Sequence, residues 1–232
     1  MFRTSLIIAG VLVTSSTAFA HITIATGPVA AGKSAKIGLA INHGCASSTQ
    51  DSFKIRVDLP AGFSNVRALR SDFGSYTLIK NGADVVAIEW TKPVTDKRAA
   101  DDSYYELTFK ATVPNTPYKK LALNITQTCT DALGVEQAPV HWDGTNPAEP
   151  APSLVIAPAR TNATGWNKFT IPASTTVAAA DFGAYFGDAL IVWKGTAAYS
   201  ANPNTLEQIT ATTGVTALTG ELAAGDVIWV RY

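Results

Sequence analysis

The sequence predicts an all-β protein: an antiparallel β-sandwich of cupredoxin-like or immunoglobulin-like appearance, then a linker and a small, mostly β domain. Three observations lead to this prediction. Apolar and polar residues alternate with a period of two in successive segments, turn-forming residues separate those segments, and a stretch rich in proline and alanine divides the chain. Many short strands with little helical periodicity are typical of a sandwich or barrel.

The alternating segments lie in the predicted sandwich domain, residues 21–143. In "SAKIGLAIN", Ile37, Leu39 and Ile41 share one face, and "FKIRVDL" alternates apolar with charged residues. The segments "DVVAIEW", "YYELTFKATV" and "KLALNITQT" continue this period, which predicts half-buried strands. The turn signals "PAG", "DFGS", "KNGAD" and "PNTP" stand between them.

Residues 144–160, "GTNPAEPAPSLVIAPAR", have the composition of a partly extended linker that ends this domain. In residues 161–232, "WNKFTIP", "ALIVWKG" and "DVIWVRY" predict strands. One short helix is expected in "NTLEQITAT", with Asn204 as its N-cap. We expect the tryptophans of this domain (Trp166, Trp193 and Trp229) in its core, because so small a domain needs large buried side chains.

Residues 1–20 have the pattern of a secretory signal peptide. Arg3 supplies the positive charge, "LIIAGVLV" is a short apolar region, and Ala18-Phe19-Ala20 fits the small-x-small cleavage site. This apolar run is too short to span a bilayer, and no later segment is long enough to do so. The pattern predicts an exported, periplasmic or extracellular protein with His21 at its new amino terminus.

The charge balance argues against nucleic acid or an anionic membrane as the partner. The sequence has 18 basic and 18 acidic residues, and the signal peptide removes only Arg3, so the cleaved chain is near neutral. A basic face of the kind that binds polyanions is not expected. The sequence also contains no catalytic triad, phosphate-binding loop or nucleotide fingerprint, and we expect no enzymatic activity.

Cysteine use is sparse, with Cys45 and Cys129 alone. In an oxidising compartment the two most simply form one disulfide, whereas two buried free thiols are the alternative. A loop of this length would contribute about 4–5 kcal/mol in the entropic model, less any strain.

An amino-terminal His21 would present two nitrogen donors, the α-amino group and imidazole Nδ1, which close a six-membered chelate around one metal. A free α-amine has a pKa of about 8, so a metal displaces few protons from it at neutral pH. Nitrogen-rich sites favour Cu²⁺ among the divalent first-row metals. An ordinary first residue of a strand is the alternative for His21.

The two other histidines each have an ordinary alternative as well. His43 in "INHGCASS" could be a loop residue, and His141 in "QAPVHWDG" could alternate with Trp142 and face solvent. A disulfide would bring the "HGC" segment near the strand that precedes "HW". The sequence alone does not place His21 beside either segment.

Several motifs occur in an order that resembles the YcnI-like family of exported bacterial copper-binding proteins. They cover residues 21–145 and are listed here in chain order: His21-Ile22-Thr23-Ile24, Ala31-Gly32, His43-Gly44-Cys45, Val57-Asp58-Leu59-Pro60-Ala61-Gly62, Ile88-Glu89-Trp90, the segment from Asn124 to Cys129, and Trp142. The resemblance implies a β-sandwich that binds one Cu²⁺ at its amino terminus, with His21 as the chelate and Trp142 against the metal. Family members complete the site with a carboxylate, and His43 stands at the position that we align with it.

Three hypotheses follow. The first is a periplasmic Cu(II)-binding protein for copper acquisition, buffering or delivery, in which His21 and His43 bind the metal and Trp142 and His141 lie beside it. Its partners would be copper and a membrane copper transporter or another periplasmic carrier. The cleaved chain has no methionine and its cysteines are expected to be paired, so soft ligands for Cu⁺ are missing. The second is a copper mono-oxygenase with His21 and either His43 or His141, and the third is an interaction module without metal.

Overall fold

The computed structural model describes residues 21–45, 49–96 and 103–232. The predicted signal peptide, residues 1–20, lies outside the described residues. Strands dominate, as predicted, and they are nearly all antiparallel. No helix within the described residues is long and apolar enough to cross a membrane.

The first part of the chain is a β-sandwich. Its strands are β1 (Thr23–Ile24), β2 (Val29–Ala30), β3 (Ser34–Ile41), β4 (Asp51–Asp58), β5 (Ser64–Ala68), β6 (Ser75–Asn81), β7 (Asp84–Thr91), β8 (Tyr105–Thr112), β9 (Lys119–Ala122), β10 (Asn124–Thr130), β11 (Val140–Trp142) and β12 (Ser153–Ala157). They form one sheet in the order β1-β3-β8-β5, a second in the order β11-β10-β4-β7-β6, and a smaller one in the order β2-β12-β9.

The alternation seen in the sequence is the alternation of buried and exposed side chains in these sheets. Ile37, Leu39 and Ile41 on β3 and Ile55 and Val57 on β4 are fully buried. They belong to one apolar cluster that both large sheets share. Successive side chains of a strand point to opposite faces, so the period of two in the sequence directly sets which face is buried.

Part of the predicted linker is a strand of the sandwich. Residues 153–157 form β12, which pairs in parallel with β2 and antiparallel with β9. Leu154 and Ile156 are completely buried in the core, each with 0% of its surface accessible to solvent. The sequence did not predict this strand, because the prolines on both sides give the whole stretch the composition of a linker. The alternation in "SLVIA" at its centre was the available signal.

The second domain contains β13 (Trp166–Thr170), α1 (Phe182–Phe186), β14 (Ile191–Lys194), β15 (Ala197–Tyr199), α2 (Pro203–Ala211), β16 (Thr216–Ala217) and β17 (Val227–Arg231). Its sheet has the order β13-β17-β14-β15-β16. The predicted helix is α2, but its N-cap is Asn202 and not Asn204, since the Asn202 side chain accepts bonds from the amides of Asn204 and Thr205. The short helix α1 was not predicted.

The prediction that the tryptophans form the core of this domain is wrong: none of the three belongs to the core cluster, and Trp193 is only half-buried. Trp166 is 43% exposed and Trp229 is 47% exposed. The core consists of other large side chains, among them Phe182, Phe186 and Ile228. Helix α1 contributes the two phenylalanines, which cover the core-facing side of the sheet in place of the tryptophans.

The two domains pack against each other through Tyr118. This residue follows the sandwich strand β8, yet its ring lies 5.7 Å from that of Tyr185 and 6.0 Å from that of Phe186. Burial raises the pKa of the Tyr118 phenol. Nearby, Lys120 Nζ donates to Asp181 Oδ1 at 2.6 Å, so polar contacts accompany the apolar ones.

An ion pair is buried inside the sandwich. Lys92 Nζ lies 2.5 Å from Asp51 Oδ2, and the two side chains are only 1% and 2% exposed. The hydroxyl of Tyr105 completes the group, at 2.5 Å from Lys92 Nζ and 3.0 Å from Asp51 Oδ1. The Lys92 ammonium also lies 4.1 Å from the centroid of the Tyr105 ring.

Replacing Lys92 with alanine should therefore be costly. The carboxylate of Asp51 would stay buried without its counter-ion, and we expect the free energy of unfolding to fall by about 3–5 kcal/mol. Urea unfolding followed by tryptophan fluorescence would measure it. The double variant Asp51→Leu/Lys92→Met removes both charges and should recover most of the loss; a single variant as stable as the parent would contradict this account.

Candidate metal centre

Strand pairing places His21 beside the segment that follows β3. Strand β1 runs antiparallel to β3, with Thr23 opposite Ala40 and Ile24 opposite Leu39. Continuing this register backwards brings residue 21 opposite residue 42. The side chain of Asn42 accordingly donates from Nδ2 to the carbonyl oxygen of His21 at 2.7 Å. His43, the next residue along, thereby comes close to His21.

The disulfide prediction is confirmed. Cys45 and Cys129 are bonded, with their Cα atoms 5.9 Å apart. The bond joins the loop that carries His43 to β10 in the second large sheet, where Cys129 pairs with Ser52 of β4. It thus ties together the segments that follow β3 and precede β11, as the position of the cysteines in the sequence suggested.

Trp142 lies on the edge strand of the second sheet and contacts both His21 and His43. In the β10–β11 register it pairs with Ile125, and its side chain is 3% exposed. The rings of His21 and His43 both meet it edge to face, with ring centroids 5.9 Å and 6.0 Å away. One indole is therefore in contact with two imidazoles that are 22 residues apart in sequence.

Each imidazole has one buried nitrogen without a hydrogen-bond partner in the described residues: Nδ1 of His21 and Nε2 of His43. Buried polar atoms in proteins are nearly always bonded, so these two nitrogens beside one ring are available to a ligand. In His43 the other nitrogen, Nδ1, is hydrogen-bonded to the carbonyl oxygen of Gly44. A carbonyl only accepts, so Nδ1 carries the proton and the lone pair of the neutral ring lies on Nε2.

Gln127 orients both partners of this arrangement. Its Oε1 accepts a bond from Trp142 Nε1 at 2.9 Å, and its Nε2 donates to the carbonyl oxygen of His43 at 2.9 Å. Nε2 also lies 2.8 Å from Ser52 Oγ, and the side chain is completely buried. Sequence reasoning missed this residue. The available signal was a polar side chain in "NITQTC" at an inward position, between Ile125 and Cys129.

His141 is not part of this group. It alternates with Trp142 along β11, so its side chain lies on the opposite face and is exposed. Its Nδ1 is 3.3 Å from Thr126 Oγ1, the residue it pairs with on β10. The structure therefore does not bring His141 together with His21 and His43, and the physical reason is the period of two in a strand.

The group holds few side chains that bind metals. Within residues 21–45, 49–96 and 103–232, no set of three or more histidine, cysteine, aspartate or glutamate side chains lies close enough to hold an ion. His21 and His43 are two donors, and cleavage after Ala20 would add the α-amine of His21 as a third. A ligand set of three nitrogens with no carboxylate fits Cu²⁺ better than a hard cation such as Mg²⁺ or Ca²⁺.

Comparisons with known proteins give only distant structural similarities. No protein-family model matches it, and no curated protein matches it. A solved protein from Nocardia farcinica with an immunoglobulin-like fold is 18% identical, with a TM-score of 0.49 over 59% of this chain and 97% of its own. A cohesin–dockerin complex from Clostridium thermocellum gives 14% identity and a TM-score of 0.34 over 58% of this chain and 93% of its own.

The major pilin subunit of Bacillus cereus is 10% identical, with a TM-score of 0.36, and aligns with 91% of this chain. The chain spans about half of that pilin, 55% of its length. All three similarities are distant. The sheets themselves define the class: an all-β protein with an antiparallel sandwich, a disulfide between its sheets, and a second β domain packed against it.

Proposed function

We propose that this chain is an exported Cu²⁺-binding protein that holds copper for acquisition, buffering or delivery. The observation that carries the proposal is the pair of buried, unpartnered imidazole nitrogens, Nδ1 of His21 and Nε2 of His43, beside one tryptophan. The ligands would be the α-amine and Nδ1 of His21 together with Nε2 of His43. Copper is the cargo of such a protein.

The surroundings of these nitrogens support holding a metal more than reacting with it. Trp142 is hydrogen-bonded to Gln127 and buried, so its ring is fixed against both imidazoles. An indole held beside these imidazoles would exclude water from one side of a cation bound to them. The mono-oxygenase hypothesis requires an open position for oxygen beside the metal. Trp142 packs against both imidazole rings, so this arrangement favours the carrier hypothesis.

The disulfide supports export. Disulfides persist in oxidising compartments, and this one lies two residues from His43. It also removes both thiols as ligands, since no free cysteine remains. A site with nitrogen donors alone favours Cu²⁺ over Cu⁺, as expected for a carrier in an oxidising periplasm. A membrane copper transporter or another periplasmic carrier would receive the ion.

The test is a Cu²⁺ titration of the chain that begins at His21 against the same chain with its amino terminus acetylated. Acetylation turns the α-amine into an amide and supplies no other free amine beside the imidazole. We expect one tightly bound, nitrogen-coordinated Cu²⁺ in the first form and at least about a 100-fold weaker site in the second, since even residues that only orient ligands cost 10–100-fold. Mass spectrometry would verify each terminus, and EPR would report the donor atoms.

Equal affinity in the two forms would overturn the role of the amine. The imidazoles would then have to bind copper alone. Absence of stoichiometric binding in both forms would overturn the copper proposal itself.

A further inference from the structure

The second domain presents three tryptophans on one face of its sheet. In the register, Trp193 on β14 pairs directly with Trp229 on β17. Trp166 on β13 pairs with Arg231, two residues further along β17 and on the same face as Trp229. Cross-strand neighbours in such positions lie about 5 Å apart and diagonal ones about 7–8 Å apart, within reach of indole rings.

The opposite face of the same strands is the core. Asn167, Val192, Ile228 and Val230, which alternate with the outward residues, are buried. The tryptophans therefore contribute little to the core of this domain. Trp166 and Trp229 are 43% and 47% exposed, and the core cluster consists of other residues. Exposed aromatic patches of this kind mark binding surfaces.

The shape of the patch is that of an open platform. Trp166, Trp193 and Trp229, with Gly195 in the β14–β15 turn, line one open depression of 580 Å³. Its apolar surface consists of flat rings and not of branched aliphatic side chains. Flat indole faces match the C–H face of a pyranose ring, whereas its hydroxyl groups need polar partners at the edge of the platform.

The charged residues on the strands of the platform are all basic. The three strands β13, β14 and β17 contain Lys168, Lys194 and Arg231 but no aspartate or glutamate. Lys194 is engaged by Asp226. Lys168 and Arg231 form no ion pair within the described residues, and the Lys168 ammonium lies over the Trp229 ring, 5.8 Å from its centroid. A sugar on this platform would have its substituents beside a cation that has no carboxylate partner.

We infer that this tryptophan platform binds a polysaccharide that carries carboxylate groups, such as a uronic acid polymer. The rings would stack on the sugars while Lys168 and Arg231 engage the carboxylates. A uronic acid polymer fits both parts of the platform, because each sugar offers an apolar face to the rings and a carboxylate to the cations beside them. The site is independent of the copper proposal, since it shares no residue with the metal centre.

The experiment is affinity electrophoresis of the full chain from His21 to Tyr232 through gels that contain alginate or polygalacturonate. Neutral hydroxyethylcellulose and a thymidine oligonucleotide provide the comparison. We expect retardation in the uronate gels, weakened roughly tenfold by Trp229→Ala or Trp193→Ala, as for loss of one aromatic contact. Lys168→Gln should weaken binding to the uronates, and added salt should do the same.

Tyr76→Ala is the matched control, because Tyr76 is a similarly exposed aromatic, 40% accessible, on the sandwich. It should leave retardation unchanged. Circular dichroism would verify that the tryptophan variants are folded. Absence of retardation by the uronates, equal binding to the neutral polymer, or preference for the oligonucleotide would each overturn the assignment.

Discussion

Replacing His43 with alanine should weaken Cu²⁺ binding at least about 100-fold, because it removes one of the proposed donor atoms, and changes that merely disturb ligand orientation already cost 10–100-fold. The stability of the sandwich should change little, since His43 lies in a loop whose backbone is held separately by Gln127 and the disulfide. Isothermal titration with Cu²⁺ would measure the affinity, and EPR should show loss of one nitrogen from the copper spectrum.

The matched control is His141→Ala. This histidine is the third in the chain, is exposed, and lies on the opposite face of β11 from Trp142. Copper affinity should be unchanged in this variant. If His141→Ala weakened binding as strongly as His43→Ala, the metal would be bound on the outer face of the sheet and the proposed centre would be wrong.

Removing the disulfide should lower both stability and copper affinity. In the double variant Cys45→Ser/Cys129→Ser, the unfolded chain regains the freedom of a loop with a sequence separation of 84 residues. The chain-entropy model gives a loss of about 4.5 kcal/mol in the free energy of unfolding. The loop of His43 would lose its covalent tie to β10, and we expect copper binding to weaken roughly 10–100-fold, as for loss of a group that positions a ligand.

Urea unfolding of the double variant and of the parent would give the stability change, and a Cu²⁺ titration in dilute denaturant-free buffer would give the affinity. Using serine at both positions avoids leaving a single reactive thiol. Unchanged copper affinity in a folded, destabilised variant would show that Gln127 alone positions His43. Unchanged stability would contradict the entropic account of this bond.

Much of the sandwich could be predicted because it depends on local alternation. In β3, β4, β7 and β8 the large apolar residues recur at every second position, and most of them are buried. The strand β12 escaped prediction because proline and alanine around it dominate the composition. The tryptophans were misplaced for a related reason: hydrophobicity predicts burial on average, but it does not tell which of the two faces of a strand is covered.

The sequence by itself predicted most of the strands, a Cys45–Cys129 disulfide and four candidate site residues, because period, cysteine count and motif order are properties of the chain. Only the tertiary structure decided which candidates meet. The β1–β3 register places His21 beside His43, and alternation on β11 turns Trp142 inward and His141 outward. Contacts between residues more than a hundred positions apart depend on how two sheets pack, and no local pattern in the sequence encodes that distance.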